Sequence, residues 1–118
     1  MTLIDVITSF DKLRPNSFDF ETKRKWVLAL EEQISDFINL YRETYDDKKF
    51  LHMENPNLIL TDSNIDLYVS YLISMGDLAN AEYKLYNVSS AYFNSVFAQW
   101  KRKYRSYNKP DVTPAIKV

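Results

Sequence analysis

Cysteine is absent from this chain of 118 residues, and glycine and histidine occur once each. Without thiols there is no disulfide staple, no thiolate metal site and no cysteine nucleophile, so packing alone must hold the fold. The single imidazole, His52, excludes any centre built on two histidines and leaves a catalytic triad one candidate base. One glycine, Gly76, cannot furnish a glycine-rich phosphate loop, which removes support for nucleotide-dependent chemistry. Long apolar runs are missing too: none approaches the ~20 residues of a membrane span. The N-terminus lacks the basic-then-apolar order of a signal peptide, so the expectation is a protein kept in a cytoplasm with no membrane partner.

What remains is ample for one core. Hydrophobic residues make up 46% and charged residues 26%, the proportions of an ordinary globular domain. A chain of this length has surface enough to bury for one domain and too little for two. Aromatics reach 15%, with nine Tyr and seven Phe. That exceeds the needs of so small a core and points to rings on a surface that meets another protein. Net charge is only -1, yet residues 101–118 hold six Lys and Arg against Asp111 alone. The basic end is a polar handle.

Apolar periodicity indicates an all-α chain. Thr2 with Asp5 reads as a capping box opening a short helix through Leu3, Ile4, Val6, Ile7 and Phe10, stopped by Pro15. Asp19 or Ser17 can cap a second helix, whose stripe Trp26, Leu30, Ile34, Phe37 and Tyr41 carries it to about Tyr45, with Glu31, Glu32, Ser35 and Asp36 off the stripe. Asp46-Asp47-Lys48-Lys49 and Asn55-Pro56-Asn57 mark a connecting loop, in which Leu58-Ile59-Leu60 is too short to argue a sheet. Ser63 with Asp66 repeats the capping-box pattern before a third helix starting at Asn64 or Ile65. Its core stripe would be Ile65, Tyr68, Val69, Leu72, Met75, Ala79 and Tyr83. Gly76 lies inside that helix and suggests close approach of another backbone. The expected break is Asn87-Val88-Ser89. A fourth helix then carries Tyr92, Phe93, Val96, Phe97, Trp100 and Tyr104 and ends in Lys101, Arg102, Lys103 and Arg105, cations suited to a helix C-terminus. The expected architecture is an antiparallel bundle over residues 1–107, one short helix and three long, with an extended tail over 108–118 containing Pro110 and Pro114.

Few constellations carry chemistry. Asp77 and Glu82 come closest to a carboxylate pair, but both fall off the stripe and read as solvated. Glu31 and Glu32 read as neighbours on a polar face without a matching ligand set. His52 has no nucleophile in a recognisable setting nearby. No catalytic, metal-binding or cofactor-binding residues are assigned, and none of these groups supports an enzyme. The run from Trp100 to Lys109 interleaves cations with aromatics, as contact with nucleic acid requires, but one basic patch on a chain of isoelectric point near 5.8 fits docking on an acidic protein neighbour better. The residues expected to meet partners are Lys101, Arg102, Lys103, Arg105 and Lys109 at this end, with Phe50, His52 and Asn55 in the loop.

Two stretches carry a resemblance. Asp11-Lys12-Leu13-Arg14-Pro15-Asn16-Ser17-Phe18, followed by Lys23, Lys25-Trp26 and Leu30-Glu31, is similar to the opening of a family of small proteins encoded among the structural genes of tailed phages and prophages. Asp66-Leu67-Tyr68-Val69-Ser70-Tyr71-Leu72, Met75-Gly76-Asp77, Ala81-Glu82-Tyr83, Tyr86-Asn87 and Ala91-Tyr92-Phe93-Asn94-Ser95 resemble its helical core. Members are regarded as head-tail connectors, also called adaptors or head completion proteins. The resemblance implies a virion structural protein, assembled in the host bacterial cytoplasm. It also implies self-association into a ring beneath the portal, contacts to portal and tail proteins, and passage of DNA through the ring without sequence-specific binding. The loop over residues 45–60 and the tail depart from the family pattern, so its portal contacts do not transfer residue by residue. The alternative from the same basic aromatic end is a small helical nucleic-acid-binding accessory or regulatory protein.

Overall fold

The computed structural model describes residues 1–42, 45 and 47–108. Among these the chain is all-α: α1 (Leu3–Leu13), α2 (Phe20–Asn39), α3 (Ile65–Ala79) and α4 (Tyr83–Tyr107) form a small antiparallel bundle, with 3₁₀ turns at Lys49–His52 and Asp62–Asn64. Of the expected tail over 108–118, residues 109–118 with Lys109 among them lie outside the described residues, as does Asp46.

The N-terminal signals act as expected. Thr2 Oγ1 accepts from the Asp5 N–H at 3.2 Å, and Asp5 Oδ2 accepts from the Thr2 N–H at 2.9 Å, closing the capping box. Asp19 Oδ1 accepts from the Thr22 N–H at 2.7 Å and caps α2. Both carboxyls are held below their usual range by these hydrogen bonds, the Asp5 one by Thr2 and the Asp19 one by Thr22. A buried lysine joins the two helices: Lys23 Nζ lies 3.0 Å from Asp11 Oδ1.

Two boundaries and one cap differ from expectation. α2 ends at Asn39, short of Tyr45. There the Leu40 N–H bonds to the Phe37 carbonyl in a tightened last turn, and Asn39 Oδ1 accepts from the Tyr45 N–H at 3.0 Å, folding the chain back. The Ser63–Asp66 capping box does not form. Ser63 Oγ instead lies 3.0 Å from Thr61 Oγ1 in the 3₁₀ turn, and α3 starts at Ile65 without a side-chain cap.

The third difference moves the α3–α4 corner from Asn87-Val88-Ser89 to residues 80–82. Ala81 has φ 57°, the Glu82 N–H bonds to the Asp77 carbonyl at 2.9 Å, and the Ala81 N–H bonds to the Leu78 carbonyl at 3.0 Å. This is a Schellman motif with alanine where glycine is the usual choice. Nothing in the local sequence favours it over Asn87, so tertiary contacts fix it. Ser89 Oγ donates to Asp77 Oδ2 at 2.8 Å across the corner, and Arg14 Nη1 donates to Asp77 Oδ1 at 3.4 Å from the end of α1. Asp77, expected on a solvated face, is buried for this reason, while Glu82 is exposed.

Helix α3 lies at the centre, packed against α1, α2 and α4. Its core is therefore wider and differently placed than a single stripe: Leu67, Tyr68, Val69, Ser70, Leu72, Ser74, Gly76 and Asp77 are buried, whereas Ala79 and Tyr83 are exposed. Ser70 and Ser74 face packed neighbours because each hydroxyl donates to its own helix, to Leu67 O at 3.0 Å and Tyr71 O at 2.8 Å. Gly76 admits a ring and no backbone: a Cβ there would lie 3.3 Å from Phe18 Cε2 and 3.8 Å from Phe10 Cζ.

Glu31 overturns a further expectation. Its residue is 0% exposed, with Oε1 accepting from the Tyr68 hydroxyl at 2.6 Å and Oε2 from the Ile59 N–H at 2.6 Å. Tyr68 in turn accepts from the Leu60 N–H at 3.3 Å. The adjacent Glu32 points outward and pairs with Lys48 Nζ at 3.1 Å. Leu58-Ile59-Leu60 joins no sheet. Just before it Asn57 makes an isolated β-bridge with Thr2, and the segment itself is pinned by the Leu58 N–H to the Met1 carbonyl and the Ile59 N–H to Glu31.

Candidate interaction surface

The basic end of α4 sits on an aromatic seam. Helical spacing brings Phe93, Phe97, Trp100 and Tyr104 to one side of α4, where they meet Tyr71 of α3 and Phe37 of α2. Phe37 lies 5.5 Å from Trp100 and 5.7 Å from Tyr104 between ring centroids, and Tyr41 lies 5.4 Å from Tyr104. Tyr41 thus stays with the stripe although the helix has ended.

The four cations divide into two pairs. Lys101 Nζ lies 4.1 Å from the Phe97 centroid and 5.7 Å from that of Phe37, and Arg105 Cζ lies 5.6 Å from the Phe37 centroid. These two close the seam against water through cation–π contact. Arg102 and Lys103 point the other way and are exposed. Among the described residues neither has a hydrogen-bond or ion-pair partner. Both line a cleft of about 540 Å³ between α4 and the start of α3, floored by Trp100, Val96 and Leu67. Asp66 is also at the cleft, but Tyr92 donates its hydroxyl to Asp66 Oδ2 at 2.6 Å. That hydrogen bond, with the charge of Asp66, pushes the Tyr92 pKa up. The cleft sets Arg102 and Lys103, neither with a partner among the described residues, beside an apolar floor.

Two of the three loop residues serve the fold. Phe50 is in the core, and Asn55 Oδ1 accepts from the Ile4 N–H at 2.9 Å, satisfying a free amide in the first turn of α1. His52 is exposed on a 3₁₀ turn. The structure therefore brings Arg102 and Lys103 together, turns Lys101 and Arg105 onto rings, and places Phe50, His52 and Asn55 outside this surface.

Glu31 and Tyr68 form a buried, hydrogen-bonded pair whose pKa values are both raised. Burial raises the Glu31 pKa against the opposing effect of its hydrogen bonds, and burial together with the Glu31 charge pushes the Tyr68 pKa far up. Enclosed and with both carboxylate oxygens engaged, Glu31 reaches no substrate. Among the described residues, no three of His, Asp and Glu gather as a metal-holding group. Among the described residues no helix is long and apolar enough to cross a membrane.

Sequence reasoning missed the outer face of α4. Leu85, Val88 and Tyr92 are 47%, 71% and 53% exposed. The available signal was the absence of any charged residue from 85 to 100 in a helix whose other face already supplies the core. Comparison with known proteins returns nothing: no family model, no curated protein and no solved structure matches the chain.

Proposed function

We propose that this chain is a virion assembly protein, a head-tail connector that forms a ring beneath the portal of a tailed phage and joins the DNA-filled head to the tail. The reading starts from the resemblance of residues 11–105 to that family. Its physical support is a single observation: Arg102 and Lys103 stand unpaired beside an apolar-floored cleft at the end of α4, while Lys101 and Arg105 serve the fold. Such a surface docks on an acidic neighbour by steering and desolvation, with no chemical step. In this role the protein is built in the host cytoplasm and resides in the virion, where DNA passes through the ring.

The nucleic-acid alternative loses ground on the same observation. Two of the four helical cations lie over rings, which leaves few free charges to contact phosphates. Electron microscopy of the chain mixed with portal rings tests the proposal. Added density on the portal is expected with the native chain, and its loss with the Arg102→Glu, Lys103→Glu double variant. A native chain that leaves portal rings bare overturns it.

A further inference from the structure

Most carboxylates of the chain are spent on the fold. Asp5 and Asp19 cap helices, Glu32 holds Lys48, Asp66 accepts from Tyr92, and Asp77 accepts from Ser89 and Arg14. Among the described residues only Glu54 and Glu82 have side chains without a hydrogen-bond or ion-pair partner, and Glu82 lines a small cavity with Arg14 and Asp77. Glu54 is exposed beside Met53, itself 49% exposed. The Arg24 guanidinium nearby is engaged elsewhere: Nη1 meets Glu21, Nη2 donates to the Met53 carbonyl at 2.6 Å, and Nε donates to the Glu54 carbonyl at 3.2 Å. Asn55 and the Pro56 carbonyl are held in turn by the amides of Ile4 and Leu3. An apolar side chain and a carboxylate thus stand side by side on backbone fixed at four successive residues, and such a plug loses little freedom when it docks.

We propose that the Met53–Glu54 loop of one copy docks in the α3–α4 cleft of the next, with Glu54 at Arg102 and Lys103 and Met53 on the floor of Trp100, Val96 and Leu67. This rests on the connector reading, which gives the cleft an acidic protein neighbour, and it identifies that neighbour as a second copy of this chain. Charge selects the occupant: the unpartnered cations of the cleft meet the unpartnered carboxylate of the loop, and each apolar surface covers the other. The loop is tied to α1 and α2 through Ile4 and Arg24, whereas the cleft lies between α3 and α4. Loop and cleft are different patches, so the contact is heterologous, and every copy that docks still offers one loop or one cleft to the next. A loop in a cleft covers less than the roughly 800 Å² per partner of a standard stable interface, so one contact is weak. Closure into a ring makes the last contact intramolecular and holds the assembly together.

Sedimentation velocity of the full chain from about 10 μM to 1 mM tests the pairing, a span that brackets a weak contact. The expected result is a mass that rises with concentration above the 14.0 kDa of one chain. Glu54→Lys sets a cation against the basic cleft, and Arg102→Glu with Lys103→Glu sets a carboxylate against an acidic one, so each variant alone associates at least about tenfold more weakly. An equimolar mixture of the two matches every loop to a cleft of opposite charge and restores association. Melting curves stay those of the native chain, because the loop is held through the Glu54 backbone and not its side chain. A native mass of one chain throughout, association untouched by Glu54→Lys, or a mixture that fails to restore it overturns the pairing. Decoration of portal rings is scored separately: bare portals overturn the connector reading, whereas decorated portals with an unrestored mixture overturn the pairing alone.

Discussion

Tyr68 donates its hydroxyl to Glu31 across 37 positions of sequence, at 2.6 Å and out of reach of solvent. The second carboxylate oxygen of Glu31 holds the Ile59 N–H, so one side chain fastens α2, α3 and the segment that crosses them. Glu31→Ala removes both acceptors at once and strands the Ile59 amide in the interior. The expected loss of stability is about 3 kcal/mol in urea denaturation. Tyr68→Phe, which bares one carboxylate oxygen and the Leu60 N–H, should cost about 2 kcal/mol.

The same pair sets a pH dependence. Burial lifts the folded pKa of Glu31 above its ordinary value of 4.5, so the folded state takes up a proton before the unfolded chain does. The charged carboxylate weighs against folding at neutral pH, and that burden lifts as pH falls from above the raised pKa toward 4.5. Native protein should therefore gain stability relative to Glu31→Gln across this window, by about 1.4 kcal/mol for each unit of the rise. Melting temperatures of both proteins from pH 8 down to about 4.5 check the sign, and parallel curves would refute it.

Ala81 occupies the left-handed position of the Schellman corner at φ 57°. A side chain there costs about 1 kcal/mol that glycine avoids. Ala81→Gly should therefore stabilise the protein by roughly that amount, less the added freedom of the unfolded chain. Gly76 gives the opposite case. Gly76→Val places branched carbons against Phe18 and Phe10 inside a packed helix, and about 2 kcal/mol or more should be lost. Thermal melts of the two variants should move in opposite directions.

The cations near the end of α4 allow the proposed docking to be tested apart from the fold. Lys101→Met removes a charge lying over Phe97 and Phe37 and should lower stability by about 0.5 to 1 kcal/mol. Arg102→Glu with Lys103→Glu should change stability by less than about 0.5 kcal/mol, since neither side chain holds anything in place. Comparing the melting curves of the two variants with their retention on a portal ring distinguishes structural from partner-facing charge.

Much of the fold was legible because apolar spacing reports directly on buried faces. Leu3, Val6, Ile7 and Phe10 of α1, and Leu30 and Ile34 of α2, are buried as their periods indicate, whereas Ile4 is exposed. The Thr2 and Asp19 caps were legible for the same local reason. The corner at Ala81 was not, because Asp77, Arg14 and Ser89 fix it from three separate stretches of chain. Glu31 was misread because periodicity cannot show that Tyr68 and the Ile59 amide wait on the other side. The basic end was visible as a run of charge, but only rings supplied by Phe37 and Phe97 divide it into structural and free cations.

The stretch from 53 to 60 contains no helix, yet its backbone or side chains bond to Met1, Leu3, Ile4, Arg24, Glu31 and Tyr68. A segment with this many anchors behaves as a rivet through the bundle rather than as slack between helices. Foreign sequence grafted there would lever α1 away from α2, so reporter insertions and epitope tags belong on the outer side of the molecule, away from it.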